Sequence, residues 1–143
     1  MIKDSYTLTA SEALAAIASG RLSSVKLVKS CLARIAETDG AINAWAFMDE
    51  GAALAQAAEC DRIRIAGLAT GPLHGIPVAL KDIIDTAKMP TQRGSVIFEG
   101  RQTDHVARLV ELLREAGAVI MGKTVTTELA FVHANETCNP HNP

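Results

Sequence analysis

The sequence predicts an α/β fold in which N-terminal helices are followed by strands of a mixed, partly parallel sheet with flanking helices. Two observations predict it. A helical pattern followed by a short apolar strand occurs twice, and the two strands begin at Pro77 and Ala118. Because strands joined through a helix usually pair in parallel, this order favours a sheet that is parallel at least in part.

The first half of the chain is predicted to be a helical scaffold. Thr9 and Glu12 form a capping box, in which each side chain satisfies the other residue's backbone N–H, and the helix that it starts should end at Gly20. In the next helix, apolar residues stand three and four apart on one face. The remaining predicted elements of this half are a helix over about 23–40, a short strand over 44–48 and an Ala-rich helix over 49–65.

The second half begins with a loop, since residues 67–77 contain three glycines and two prolines. The segment from Pro77 to Asp82 is predicted to be a short strand that carries Lys81 at its end. Asp104 is predicted to cap an amphipathic helix that stops at Gly117. A buried strand, AVIM, follows directly.

Composition and charge exclude several classes of protein. With 143 residues, of which 48% are hydrophobic, the chain resembles one ordinary globular domain. A net charge of −2 without a basic stripe argues against nucleic acid as a partner. No apolar run approaches the roughly 20 residues that span a bilayer, and the N-terminus lacks a signal sequence, so we expect a cytoplasmic chain with no membrane partner. The three scattered cysteines are expected to be free thiols.

One formal motif points to nucleotides. Residues 117–124, GAVIMGKT, match the phosphate-loop pattern G-x-x-x-x-G-K-[ST]. A phosphate loop follows a strand and precedes a helix, whereas here a helix precedes Gly117 and the intervening residues are those of a buried strand. We interpret Gly117 as a helix cap and Gly122 as the end of the strand, and keep nucleotide binding as a less favoured alternative.

A second pattern invites a metal interpretation. His133, Cys138 and His141 lie within nine residues of one another, and His74 is a conceivable fourth ligand. The spacing has no paired partner motif, and the residues lie among Asn and Pro in an irregular segment. We expect neither a bound metal nor a cofactor, and elemental analysis would test this.

Lys81 is the third candidate. Most lysines at strand ends pack their stems and hold the ammonium in water. Lys81, however, follows a Gly/Pro-rich loop and an apolar strand that delivers its amine to an edge where loops cluster. In a dry site, burial disfavours the ammonium form, which makes an amine usable as a general base at neutral pH.

Four segments follow one another along the second half of the chain: GPLHGIPVALKDIIDT (71–86), the Gly94-Ser95 turn, REAGAVIMGKTVTTELA (114–130) and NPHNP (139–143). Together they resemble the N-terminal part of the amidase signature family. The resemblance implies that residues 1–143 are the N-terminal portion of a single, incomplete amidase-signature domain. In that domain, 1–66 would be a mainly helical scaffold and 67–143 a loop-strand-helix-strand segment.

The resemblance also implies a mechanism. Family members hydrolyse amides with a Ser-Ser-Lys triad, in which one serine attacks the carbonyl, a bridging serine relays the proton and a buried neutral lysine is the base. The lysine of the family's V-x-x-K-D strand corresponds to Lys81. The resemblance further implies a small-molecule amide substrate and a pocket near Lys81 that is lined by residues 124–131.

The serines depart from the family pattern. In the family, both catalytic serines lie in and after a Gly/Ser-rich segment beyond the Asn-Pro-x-Asn-Pro turn, whereas none of the seven serines here follows Ser95. We therefore expect the 143-residue polypeptide to hydrolyse no amide alone, and to self-associate or bind a complementary chain. The alternative is a non-catalytic scaffold or subunit that assembles with a second chain supplying the serines.

Overall fold

The computed structural model describes residues 4–141, in which helices and short strands alternate. The elements are α1 (Ala10–Ala18), α2 (Ser24–Ile42), β1 (Trp45–Met48), α3 (Glu50–Ile65), β2 (Pro77–Lys81), α4 (Arg108–Glu115) and β3 (Val119–Thr124). The three strands form one sheet in the order β1-β3-β2, in which β3 is antiparallel to β1 and parallel to β2. The predicted mixed, partly parallel α/β fold is confirmed.

The N-terminal helices begin at the predicted caps. The Thr9 N–H donates to Glu12 Oε2 (2.8 Å) and the Glu12 N–H donates to Thr9 Oγ1 (3.2 Å), so the capping box is formed. The helix α2 starts directly after Ser23, as predicted. It continues through Gly40, where we expected its end, and stops before Asn43, whose φ of 54° is left-handed.

β3 is the central strand, and both of its faces are covered. Val119 and Met121 pack in a cluster with residues of α2 and α3. Because successive side chains of a strand point to opposite faces, Ile120 packs on the other side, in a cluster with Leu80 and Val110. Burial on both faces explains why this strand is an unbroken apolar run.

The helix before β3 starts later than predicted. α4 begins at Arg108, Ala107 stands at its N-cap position and no side chain caps it, so the predicted cap at Asp104 is wrong. The Ala107 N–H donates to the carbonyl oxygen of Asp85 (3.0 Å), a contact between distant loops that holds the chain before α4 extended. The chain leaves this helix at Gly117, as predicted, where φ is 85°.

β3 extends two residues beyond its predicted end. We expected the strand to stop at Gly122, but it continues through Lys123 to Thr124. It does so because both neighbouring strands pair with it over this length: Gly122 lies opposite Met48 of β1, and Thr124 lies opposite Lys81 of β2. This register places Lys123 inside the protein.

No helix within residues 4–141 is both long and apolar enough to cross a lipid bilayer. The cysteines Cys31, Cys60 and Cys138 are free thiols, as expected. Burial raises the pKa of the Cys31 and Cys60 thiols, which keeps them protonated and weakly reactive.

Candidate functional site

Lys81 is the last residue of β2 and lies at the carboxyl end of the sheet. Because β2 and β3 run parallel, their carboxyl ends meet, and Lys81 stands in register with Thr124. This end of a parallel sheet is where α/β proteins usually bind their ligands. The Lys81 side chain is exposed and enters none of the ion pairs formed within residues 4–141. The predicted position of Lys81 is confirmed, and its catalytic role stays a prediction.

A buried ion pair is formed by Asp82, the residue that follows Lys81. Lys123 Nζ is 3.1 Å from Asp82 Oδ1, and the two side chains are 0% and 4% exposed. Lys123 Nζ also donates to Thr91 Oγ1 (2.7 Å) and to the carbonyl oxygen of Pro90 (3.0 Å). These contacts tie the carboxyl end of β3 to the residue after β2 and to the loop that follows.

The electrostatics of this pair are set by its burial. Desolvation lowers the pKa of the Lys123 ammonium, and the hydrogen bond and charge of Asp82 oppose that shift. Removing one partner of a buried pair leaves an uncompensated charge, which typically costs about 3–5 kcal/mol. The pair is therefore a fixed part of the site's framework.

This ion pair was not predicted from the sequence, because Lys123 matches the lysine of the phosphate-loop pattern. The structure shows that residues 119–124 form the strand β3 and that the Lys123 ammonium is ion-paired with Asp82. A usable signal was present, since a lysine that ends a buried apolar run requires a buried partner. Asp82, at the end of the other predicted apolar strand, was the natural candidate.

A cleft of about 340 Å³ opens beside the carboxyl ends of β2 and β3. Asp82 lines it together with Val125 and Thr126, which follow β3 directly. The family resemblance predicts that residues 124–131 line a pocket near Lys81. Of these residues, Val125 and Thr126 line the cleft, whereas Lys81 is not one of its lining residues, so the pocket stays a prediction. The hydroxyl of Thr126 is buried and has no hydrogen-bond partner within the described part of the chain.

The Gly94-Ser95 turn forms another wall of the cleft. Ser95 Oγ donates to Glu128 Oε1 (2.7 Å), which ties the turn to the segment after β3. Gly94 has a φ of 65°, and a Cβ there would lie 2.5 Å from the carbonyl oxygen of Thr126, so the turn requires glycine. Asn135 Nδ2 donates to the same Thr126 oxygen. The turn and the segment after β3 thus pack as one unit.

A second charged cluster holds the loop beyond β2. Arg101 Nη1 donates to Asp85 Oδ1 (2.7 Å) and Nη2 donates to Oδ2 (3.3 Å), a two-pronged contact, while Arg93 Nη2 lies 3.8 Å from Oδ2. The hydrogen bond from Arg101 holds the pKa of Asp85 below its ordinary value, although burial opposes the shift. This cluster orders the loop around the cleft.

The structure does not bring the candidate metal ligands together. His74 is buried, and its Nε2 is hydrogen-bonded to the carbonyl oxygen of Cys60 (2.8 Å). His133 and His141 are exposed in the irregular C-terminal segment. Within residues 4–141, no three His, Cys, Asp or Glu side chains are grouped so that they could share a metal ion.

The family comparison agrees with this fold. The family model described as Amidase matches residues 26–142, and the chain belongs to that family. It corresponds to the N-terminal portion of the amidase-signature fold. A glutamyl-tRNA(Gln) amidotransferase subunit of Thermobifida fusca (strain YX) is 46% identical over 129 residues, which cover 90% of this chain and 26% of that relative.

Solved structures show the same similarity. The native peptide amidase from Stenotrophomonas maltophilia matches with a TM-score of 0.82 and 40% identity, over 92% of this chain and 28% of that one. An inhibitor-bound vestigial protein complex, described as revealing the origins of an s-triazine catabolic enzyme, matches with a TM-score of 0.88 and 34% identity, over 94% of this chain and 31% of that one. The chain thus spans between 26% and 31% of the length of these proteins.

Proposed function

We propose that this chain supplies the lysine base of an amide-hydrolysing active site, and that Lys81 has this role. The observation that carries the proposal is the position of Lys81 at the carboxyl end of β2, one residue before Asp82 in the wall of the cleft. In the mechanism that the family resemblance implies, neutral Lys81 takes a proton through a bridging serine. The nucleophilic serine then attacks the amide carbonyl, and the proton passes to the leaving amine.

A lysine base must be more shielded from water than Lys81 is within these residues. A neutral amine at neutral pH needs an environment that disfavours its ammonium form, whereas Lys81 is exposed within residues 4–141. We infer that further polypeptide covers this end of the sheet in the working enzyme. The same polypeptide would carry the two serines.

The serines within the sequence do not supply a nucleophile for Lys81. Six of the seven lie between Ser5 and Ser30, in the N-terminal helical region. The seventh, Ser95, donates its hydroxyl hydrogen to Glu128. We therefore propose that the polypeptide of these 143 residues hydrolyses no amide by itself.

The proposed substrate is a small-molecule amide. Membership of the amidase family supports a carboxamide C–N bond as the target, and so do the names of the relatives, a peptide amidase and an amidotransferase subunit. We propose a cytoplasmic location, which the three free thiols support. The proposed reaction needs no cofactor, because the lysine and the serines carry out its proton transfers and its covalent step.

A second candidate function is that of a non-catalytic scaffold or subunit. Exposed apolar side chains favour it, since large residues of this kind are typical of surfaces that another polypeptide covers. We propose self-association, or binding of a complementary chain, through this part of the surface. The side chains are Val96 (85% exposed), Ile97 (79%), Phe131 (79%) and Val132 (77%).

A chimera tests the proposal. The 143 residues are fused to the part of the Thermobifida fusca relative that follows the matched segment, and hydrolysis of small aliphatic and aromatic amides is measured. We expect the fusion to hydrolyse an amide and the 143-residue chain alone to show no turnover. Lys81→Ala should lower the rate by about 1000-fold or more, as loss of a triad base does in other hydrolases. Lys29→Ala, at an exposed position of α2, is the matched control and should leave the rate unchanged.

Two outcomes contradict the proposal. Turnover that survives Lys81→Ala would exclude this lysine as the base. A fusion that is folded and monodisperse but hydrolyses none of the amides would favour the scaffold. In that case, the 143-residue chain should instead bind the serine-bearing polypeptide tightly when the two are mixed as separate molecules.

A further inference from the structure

Asp82 is fixed through both its backbone and its side chain. Its N–H donates to the carbonyl oxygen of Thr124 (2.9 Å), and its own carbonyl oxygen accepts from the Arg93 N–H (2.9 Å). Its carboxylate accepts from the Gln92 N–H through Oδ2 (3.0 Å) and meets Lys123 through Oδ1 (3.1 Å). Asp82, which directly follows Lys81, is therefore held by four contacts.

The partner of Asp82 is equally well satisfied. An ammonium has three N–H donors, and those of Lys123 are met by the Asp82 carboxylate, the Thr91 hydroxyl and the Pro90 carbonyl oxygen. Thr91 and Pro90 belong to the loop beyond β2, so one buried ammonium joins β3, the end of β2 and this loop. Such a junction fixes the backbone from which Lys81 projects.

The charges of the pair also bear on Lys81. An unpaired carboxylate on the next residue would favour the ammonium form of Lys81, which is the form that cannot act as a base. In the structure, Lys123 cancels that charge at a distance of 3.1 Å. The other charges around the pair form a cluster of their own, in which Asp85 is held by Arg101 and lies 3.8 Å from Arg93.

We propose that the buried Asp82–Lys123 pair is the positioning element of the site, which fixes the backbone at Lys81 and cancels the carboxylate charge of the residue that follows this lysine. The inference rests on the proposed function of Lys81 as the base. Lys123 acts through Asp82 and is a positioning residue, with no contact to the substrate required.

The titration of Lys81 tests whether Lys123 cancels the charge of Asp82, and this measurement needs no catalytic activity. In the 143-residue chain, each lysine is acetylated in competition with a reference amine between pH 7 and pH 11, and its modification is quantified by mass spectrometry. Lys123→Met removes the positive charge that faces the Asp82 carboxylate and should raise the labelling midpoint of Lys81 by about 0.5 pH unit. The double variant D82N/K123M carries neither charge and should return the midpoint to that of the unsubstituted chain.

Lys29 is the internal control, because it lies on α2 and should keep its midpoint in every variant. If the pair has only a structural role, the Lys81 midpoints of Lys123→Met and of the double variant should be equal, or they should shift together with that of Lys29. A midpoint unchanged by Lys123→Met, or a double variant shifted as far as the single one, would overturn the inference. If Lys123→Met does not fold, the double variant, which has no uncompensated charge, is compared with the unsubstituted chain, and a difference between their Lys81 midpoints would overturn the inference.

The chimera separates this inference from the proposed function. In an active fusion, Lys123→Met should lower kcat at pH 7 by about tenfold and move the rising limb of the pH–rate profile to higher pH. The double variant should recover the position of that limb. If the unsubstituted fusion is inactive, the proposed function fails, while the labelling midpoints still decide whether the pair controls the charge beside Lys81.

Discussion

Replacing Gly122 by alanine should weaken the sheet between β1 and β3. Gly122 lies opposite Met48, and a Cβ there would overlap the carbonyl oxygen of Phe47 and lie 3.0 Å from the Met48 Cα. Both are backbone atoms that cannot rotate away, so β1 would have to move outward. We expect a loss of about 2–3 kcal/mol, made up of about 0.5–1 kcal/mol for each of two strained interstrand hydrogen bonds and about 1 kcal/mol for overpacking.

Urea unfolding of the 143-residue chain measures this loss. Trp45 is the single tryptophan of the sequence and lies in β1, so its fluorescence reports on the strand that must move. With a urea dependence of about 1.5 kcal/mol per molar, the midpoint should fall by about 1.5 M. Gly40→Ala is the matched control, because a Cβ there meets nothing within 4 Å and alanine is the better helix former, so its midpoint should rise by about 0.5 M. A Gly122→Ala midpoint within about 0.3 M of that of the unsubstituted chain would refute the steric argument.

The remaining predictions concern a helix cap, an ion pair and the core. Thr9→Ala removes the capping box of α1 and should lower the free energy of unfolding by about 1 kcal/mol in urea titrations. Arg101 lowers the pKa of Asp85, so the ionised carboxylate stabilises the fold above the ordinary aspartate value of about 4, and this contribution is lost as the pH falls through the lowered value. Asp85→Asn should therefore cost about 1–2 kcal/mol at pH 7 and progressively less as the pH falls below the ordinary aspartate value, as measured by unfolding at a series of pH values. Ile120→Ala should cost about 2–5 kcal/mol, whereas Ile97→Ala, at a position 79% exposed, should stay within about 0.5 kcal/mol, and equal losses would contradict the assigned core.

The elements that could be predicted from the sequence are those determined by local pattern. The capping box at Thr9 and the apolar run of β3 depend on residues close together in the chain, and both are found where expected. The position of Lys81 could be predicted for the same reason, since the strand that carries it begins at a proline and ends at a charge. Family resemblance then supplied the role proposed for that lysine, which spacing alone could not.

The features that could not be predicted depend on contacts between distant residues. α4 lacks the cap expected from Asp104 because the Ala107 N–H donates to the backbone carbonyl oxygen of Asp85, 22 positions earlier. The partner of Lys123 lies 41 positions away, at Asp82, and only the parallel register of β2 and β3 brings the two together. The apolar run before Lys123 indicates that this lysine needs a buried partner, but it does not give the register that brings Asp82 to it.

The position of β3 in the chain has a consequence for the order of folding. β1 and β2 pair with β3 and not with each other, yet β3 is the last of the three strands to leave the ribosome. The pairing between Trp45 and Thr124 spans 79 positions, so no ladder of this sheet can close until more than 120 residues have been synthesised. Contacts within and between α1, α2 and α3 are available much earlier. The nascent chain should therefore emerge as a helical intermediate. Its sheet forms in one late step, and that step also fixes the backbone conformation at Lys81.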